Sequence, residues 1–122
     1  MSWGGPTKSG QSVGWQTALR ATAVLACCRV LCNGVAQVPW KVMEQRRIGN
    51  GADPATSHPL YPLLNRRPSR NQTSFELRQT MVLHLALANN AYVFKSLGAG
   101  DRILELIPIE PGRVTVTETR GE

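Results

Sequence analysis

The chain has 122 residues, 42% of them hydrophobic, enough for one modest domain that buries about two thirds of the surface its unfolded chain exposes. Fourteen lysines and arginines against eight acids give a net charge of +6, which suits a polyanionic neighbour, yet the densest basic groups are only Arg46-Arg47 and Arg66-Arg67 with Arg70, small enough to read as solvated loop charges rather than a phosphate track. Cys27, Cys28 and Cys32 are too few, too close and odd in number for a disulfide framework, and without a second ligand pair they read as small buried thiols, not a zinc site.

Residues 1–12, rich in Gly and Ser with Pro6 among them, are expected to form a flexible N-terminal arm, leaving residues 13–122 as the folded part. From Val13 to Val38 the pattern is helical. Leu19, Ala23, Ala26 and Val30 recur at three- or four-residue spacing, and Val24, Cys27, Leu31, Val35 and Val38 make a second row, which predicts burial over a wide face. Unbroken, such a helix is roughly 39 Å long at about 1.5 Å per residue. Its many alanines allow close approach of another backbone, Gly34 is expected to weaken the last turn, and Pro39 ends it. The apolar run after Arg20 is too short for a signal peptide, and Arg29, Asn33 and Gln37 interrupt any membrane span, so a soluble, unexported chain is expected.

Trp40 to Glu44 alternates as a short strand does, and Gln45 to Ser57 reads as a charged, Gly-rich loop turning at Asn50-Gly51. After Pro59, the spacing of Leu60, Leu63 and Leu64 predicts one or two helical turns, separated by Pro68 and a polar run from the next helix. That helix opens on Thr73-Ser74-Phe75-Glu76, a capping box in which hydroxyl and carboxylate satisfy two amides reciprocally. Phe75, Leu77, Met81, Val82, Leu85 and Ala88 are its expected buried face, and Asn89-Asn90 its expected end. Three strands are predicted next, Ala91 to Ser96, Ile103 to Ile107 and Arg113 to Thr119, separated by Gly98-Ala99-Gly100 and by Pro108 to Gly112. The fold class is therefore α+β: a long N-terminal helix and a second, capped helix packed on a small antiparallel sheet.

Reactive groups do not cluster along the sequence. His58 lies in a loop before Pro59, His84 lies in an apolar neighbourhood on the capped helix, and Asp53, Glu76, Asp101, Glu105 and Glu110 are scattered. Gly98-Ala99-Gly100 lacks the spacing and following helix of a phosphate-cradling loop. No catalytic, cofactor-binding or metal-binding residues are predicted.

Taken in order, several short motifs resemble the N-terminal third of phage portal proteins, the head-to-tail connectors of tailed phages, in the branch typified by the Hong Kong phage. They are Ser9-Gly10-Gln11-Ser12-Val13, Cys28-Arg29-Val30, Val35-Ala36-Gln37-Val38-Pro39-Trp40-Lys41-Val42, His58-Pro59-Leu60 with Leu63-Leu64, and Arg67-Pro68 with Gln72-Thr73 and Phe75-Glu76. Asn90-Ala91-Tyr92 and Leu106-Ile107-Pro108-Ile109 with Pro111 and Val114 complete the series. The family-motif positions are thus Pro39, His58, Pro59, Pro68, Thr73, Glu76, Asn90, Tyr92, Pro108 and Pro111. Two positions depart from the family's pattern: Ser69 replaces an Asn after Pro, and Asn89 replaces a Gly before Asn-Ala-Tyr.

The resemblance implies a structural subunit of the portal ring at the capsid vertex, through which DNA is packaged and ejected, with residues 13–122 forming the N-terminal part of the wing domain. Family members are several times longer, so Glu122 is expected to mark a truncation. The implied partners are further copies in a ring, typically of twelve, capsid and terminase proteins through the full-length protein, and DNA as non-specific cargo, with no membrane. The implied location is the virion, with the host cytoplasm during assembly. A small basic nucleic-acid-binding module is the alternative reading.

Overall fold

The computed structural model describes Gly10 and residues 14–119; apart from Gly10, the expected arm over residues 1–12 lies outside the described residues. The elements are α1 (Trp15–Ala18), α2 (Thr22–Ala36), β1 (Met43–Gln45), β2 (Ala52–Pro54), α3 (Leu60–Asn65), α4 (Ser74–Ala88), β3 (Tyr92–Leu97) and β4 (Ile103–Ile109). Two antiparallel ribbons, β1 with β2 and β3 with β4, accompany the helices in an α+β arrangement.

The predicted continuous first helix is broken. Ala21 is extended, with φ −75° and ψ 122°, and has no side-chain cap to offer, so α2 starts afresh at Thr22. The Thr17 hydroxyl both accepts from the Gly14 amide and donates to the Gly14 carbonyl, winding α1 locally. Four residues cannot propagate a helix without packing, which is why good helix formers on both sides do not bridge the gap. Gly34 does not end α2, which runs to Ala36 before Pro39 intervenes.

α2 packs on α4. The buried row on α2 is Cys28, Cys32 and Ala36, at four-residue spacing, and Leu77 is fully buried on α4. The two rows expected to be buried are instead largely outside: Val30 is 74% exposed, and Leu31, Val35 and Val38 are also exposed. A helix apolar on most of its circumference does not reveal in sequence which side its own chain covers. On α4, Phe75 and Leu85 are exposed where burial was expected, while Ser74 and Arg78 are buried.

The predicted strand at Trp40 to Glu44 forms instead as the shorter Met43–Gln45, and part of the predicted loop is its partner β2. All six strand residues are exposed. Gly49 and Gly51 take φ values of +88° and +127° in the connection, and Arg46 makes a bidentate pair with Asp53, Nε to Oδ2 at 2.9 Å and Nη2 to Oδ1 at 2.7 Å. The hairpin is held by its own turn and ion pair.

β3 and β4 run close to prediction, but β4 extends through Pro108 to Ile109. Pairing is Tyr92↔Ile109, Phe94↔Ile107, Lys95↔Leu106 and Val93↔Pro108, with a bulge between Ser96 and Leu97. The Leu106 amide donates across the other edge of β4 to the Pro68 carbonyl, at 2.8 Å. Leu106 and Lys95 are therefore a pair whose main-chain groups point away from each other, and by alternation so are Pro108 and Val93. Pro108 thus sits where a missing N–H removes no bond to β3. The third predicted strand is absent: after a turn of 3₁₀ helix at Pro111–Arg113, residues 114–119 form no strand pairing. Alternating Val and Thr gives strand propensity, but a strand exists only where an edge receives it.

Candidate assembly surfaces

The motif residues act as caps, turns and wedges. The His58 side chain accepts the Leu60 amide at Nδ1, 3.1 Å away, satisfying an orphan donor at the start of α3, while Pro59 takes the N-cap position. Pro68 is fully buried and offers its carbonyl to β4. At α4 both halves of the capping box form: the Thr73 amide donates to Glu76 Oε2 at 2.7 Å, and the Glu76 amide to the Thr73 hydroxyl at 3.3 Å. The Thr73 amide first, and then the Thr73 hydroxyl, which also donates to Oε2 at 3.0 Å, hold the Glu76 carboxyl below the ordinary carboxylate range. The Ser74 hydroxyl donates to the Asn65 carbonyl, joining α4 to the end of α3.

Asn89 closes α4 in the left-handed region, with φ 60° and ψ 2°, the conformation a glycine would adopt freely. Asn90 is exposed, Tyr92 is the half-buried first residue of β3, Pro39 is exposed beyond α2, and Pro111 opens the 3₁₀ turn. The ten motif positions do not converge on one site. Pro68 and Pro108 share the outer edge of β4; the others are spread over separate turns.

Arg78 is a structural residue that sequence reasoning missed. The side chain is buried, its Nε donating to the Ala36 carbonyl at 2.9 Å and its Nη1 to the Leu64 carbonyl at 3.3 Å. Those carbonyls lie in the last turns of α2 and α3, the negative ends of two helix dipoles, so one guanidinium gathers three helices. The available signal was its four-residue spacing from Val82, a residue assigned to the buried face. Gln79 adds a bond from Nε2 to Asn33 Oδ1 at 2.8 Å.

Burial pushes the His84 pKa down while Glu110 pulls it up, the first influence being the larger. Burial and the neighbouring Cys28 push the Cys32 thiol up, and Cys27 is exposed rather than buried as expected. Among the described residues no group of three or more His, Cys, Asp or Glu is placed to hold a metal ion, and no helix is long and apolar enough to cross a membrane. An open groove of about 670 Å³ is lined by Arg67, Pro68, Ser69, Arg70, Ser96, Leu104 and Glu105, without an acid/base pair in it.

What the surface offers instead is uncovered apolar area. Val30 and Leu31 stand out on α2 and Val38 just beyond it, Phe94 and Ile107 form an exposed cross-strand pair on the β3–β4 ribbon, and Ile48, 91% exposed, tips the β1–β2 hairpin. Such area marks contact with other protein more readily than with a small ligand.

Comparison with known proteins gives a consistent result. The family described as "Phage portal protein" matches residues 22–122. The chain is also 32% identical over 108 residues to "Protein BeeE" of Escherichia coli (strain K12), an alignment covering 88% of this chain and 67% of that protein.

Proposed function

The chain belongs to the phage portal protein family, and we propose that it is a structural subunit, or part of one, of the ring at a capsid vertex through which DNA is packaged and ejected. The family is a structural one, and a structural role without catalysis is our reading for this chain. Residues 13–122 supply the N-terminal part of the wing domain. Its partners are further copies in the ring, and capsid and terminase proteins through the full-length protein. DNA passes as non-specific cargo. Its place is the virion, reached from the host cytoplasm during assembly.

The observation that carries this reading is the family match over residues 22–122, spanning motif residues that serve as caps and wedges in this fold. Exposed apolar area on α2 and on the β3–β4 ribbon supports a role completed by contact with other protein.

The test is quantitative mass spectrometry of purified, DNA-filled particles from a strain producing the chain. Recovery at a few copies per particle, far below the major capsid protein, is expected; absence from particles would refute the reading. On its own the 122-residue chain is expected neither to close a ring nor to conduct DNA, and a stable dodecamer in light scattering would contradict that.

A further inference from the structure

Asparagine followed by glycine occurs twice in the chain, at Asn33-Gly34 and at Asn50-Gly51. The pairing is chemically labile, because glycine has no side chain to shield its amide nitrogen from the side-chain carbonyl carbon of the preceding asparagine. Both asparagines are exposed, so access to solvent does not distinguish them. Their main chains do. Gly34 lies inside α2, where its N–H belongs to the helix's own hydrogen bonding, and the Asn33 side chain is held by Gln79, whose Nε2 donates to Oδ1 at 2.8 Å.

Asn50-Gly51 lies instead in the connection between β1 and β2, where residues 47–50 form a bend outside helix and strand. The Gly51 carbonyl accepts from the Arg46 amide at 3.1 Å, but among the described residues no acceptor meets the Gly51 N–H. The Arg46 guanidinium stands beside this glycine, its Nη1 3.7 Å from the point that a Cβ on Gly51 would occupy. A cation there favours the deprotonated amide, which is the nucleophilic form. Because no strand residue of the hairpin is buried, the turn can reach an attacking geometry without disturbing the helices.

We propose that Asn50 is a site of spontaneous covalent modification, deamidating through a succinimide in the folded protein, while the same dipeptide at Asn33 is protected by α2. The Gly51 nitrogen, its proton taken by hydroxide, attacks Asn50 Cγ. A C–N bond forms, the Cγ–Nδ2 bond breaks, and Nδ2 leaves as ammonia with a proton from water. Water then opens the five-membered ring at either carbonyl, giving aspartate or, with the main chain rerouted through the side chain, isoaspartate. One water is consumed and one ammonia released, with no oxidant or metal required. The product places a carboxylate next to the Arg46-Arg47 pair and lowers the net charge of +6 by one. In a particle, where the chain is not resynthesised, the modified fraction rises with age; this consequence rests on the portal reading, whereas the chemistry does not.

Incubation of the purified 122-residue chain at mildly alkaline pH, followed over time by peptide mapping with mass spectrometry, tests it. Isoaspartate is read separately by enzymatic methyl transfer to its carboxylate. Asn50 should gain the mass of an amide turned acid, with isoaspartate at that position, while Asn33 reacts at least about tenfold more slowly because α2 must first open. In urea, where both segments are unfolded, the two rates should converge. Asn50→Gln should abolish the isoaspartate signal at the turn and leave the helical circular dichroism intact. An Asn50 that stays intact in the folded chain, an Asn33 that keeps pace with it there, or an Asn33 that stays slow in urea would overturn the proposal. The particle-recovery experiment is unaffected by any of these results, so the two readings fail separately.

Discussion

The Nε of Arg78 donates a hydrogen bond of 2.9 Å to the carbonyl oxygen of Ala36, 42 positions earlier in the chain. Through its second bond, to Leu64, the same side chain reaches α3. A buried cation is thus satisfied by helix-end carbonyls rather than by a carboxylate, and replacing it strands both acceptors. Arg78→Met should cost about 3 kcal/mol, and Arg78→Lys should recover only part, because an ammonium cannot fork to two directions as a planar guanidinium does. Urea denaturation monitored by circular dichroism measures both.

The capping box makes stability depend on pH in a defined direction. The folded pKa of Glu76 lies below its unfolded value, so the box contributes fully above the unfolded value of about 4.3, and the contribution is lost as pH falls through the folded value. Thr73→Ala should cost about 1 kcal/mol at neutral pH. Glu76→Gln should flatten the acid limb in thermal melts across pH; an unchanged limb contradicts the assignment.

Burial of His84 acts in a separate window. Its folded pKa lies below the ordinary value of about 6.5, so stability is complete above that value and declines as pH falls towards the folded pKa, where the unfolded chain binds the extra proton. This decline should persist in Glu76→Gln. Following the His84 ring protons by NMR against pH should give a midpoint below that of a free histidine.

Asn89 occupies a left-handed position where the family pattern has glycine. Asn89→Gly should leave the fold intact and stabilise it by about 0.5 kcal/mol, whereas Asn89→Val should lose more than about 1 kcal/mol, since a β-branched side chain disfavours that conformation. Paired thermal melts of the two variants separate backbone preference from any contact of the side chain.

For DNA, the dispersed cations lead to weak, sequence-independent binding at most, with a shallow dependence on salt. Titration of a short fluorescent duplex at several salt concentrations reads this directly. A steep decrease in affinity with salt, the signature of many released counterions, would favour the basic nucleic-acid-binding module instead.

Local chemistry was legible in the sequence, and tertiary pairing was less so. The Thr73-Glu76 box, the Asn89 ending and the turn after His58-Pro59 each depend on neighbours within a few positions, and each formed where the residues pointed. The break at Ala21, the outward face of α2 and the unpaired segment 114–119 depend on what lies opposite, which periodicity does not encode. Arg78 was missed for the same reason. Its burial is intelligible only once the last turns of α2 and α3 are seen to meet beside it.

The self-contained β1–β2 hairpin has a practical corollary. Because Arg46 and Asp53 fasten its strands below the turn and no strand residue is buried, a short peptide tag spliced between Gly49 and Asn50 displaces nothing in the helical core. The protein therefore carries a ready external handle, suited to a gold or fluorescent label that would report the position of each copy inside an intact particle.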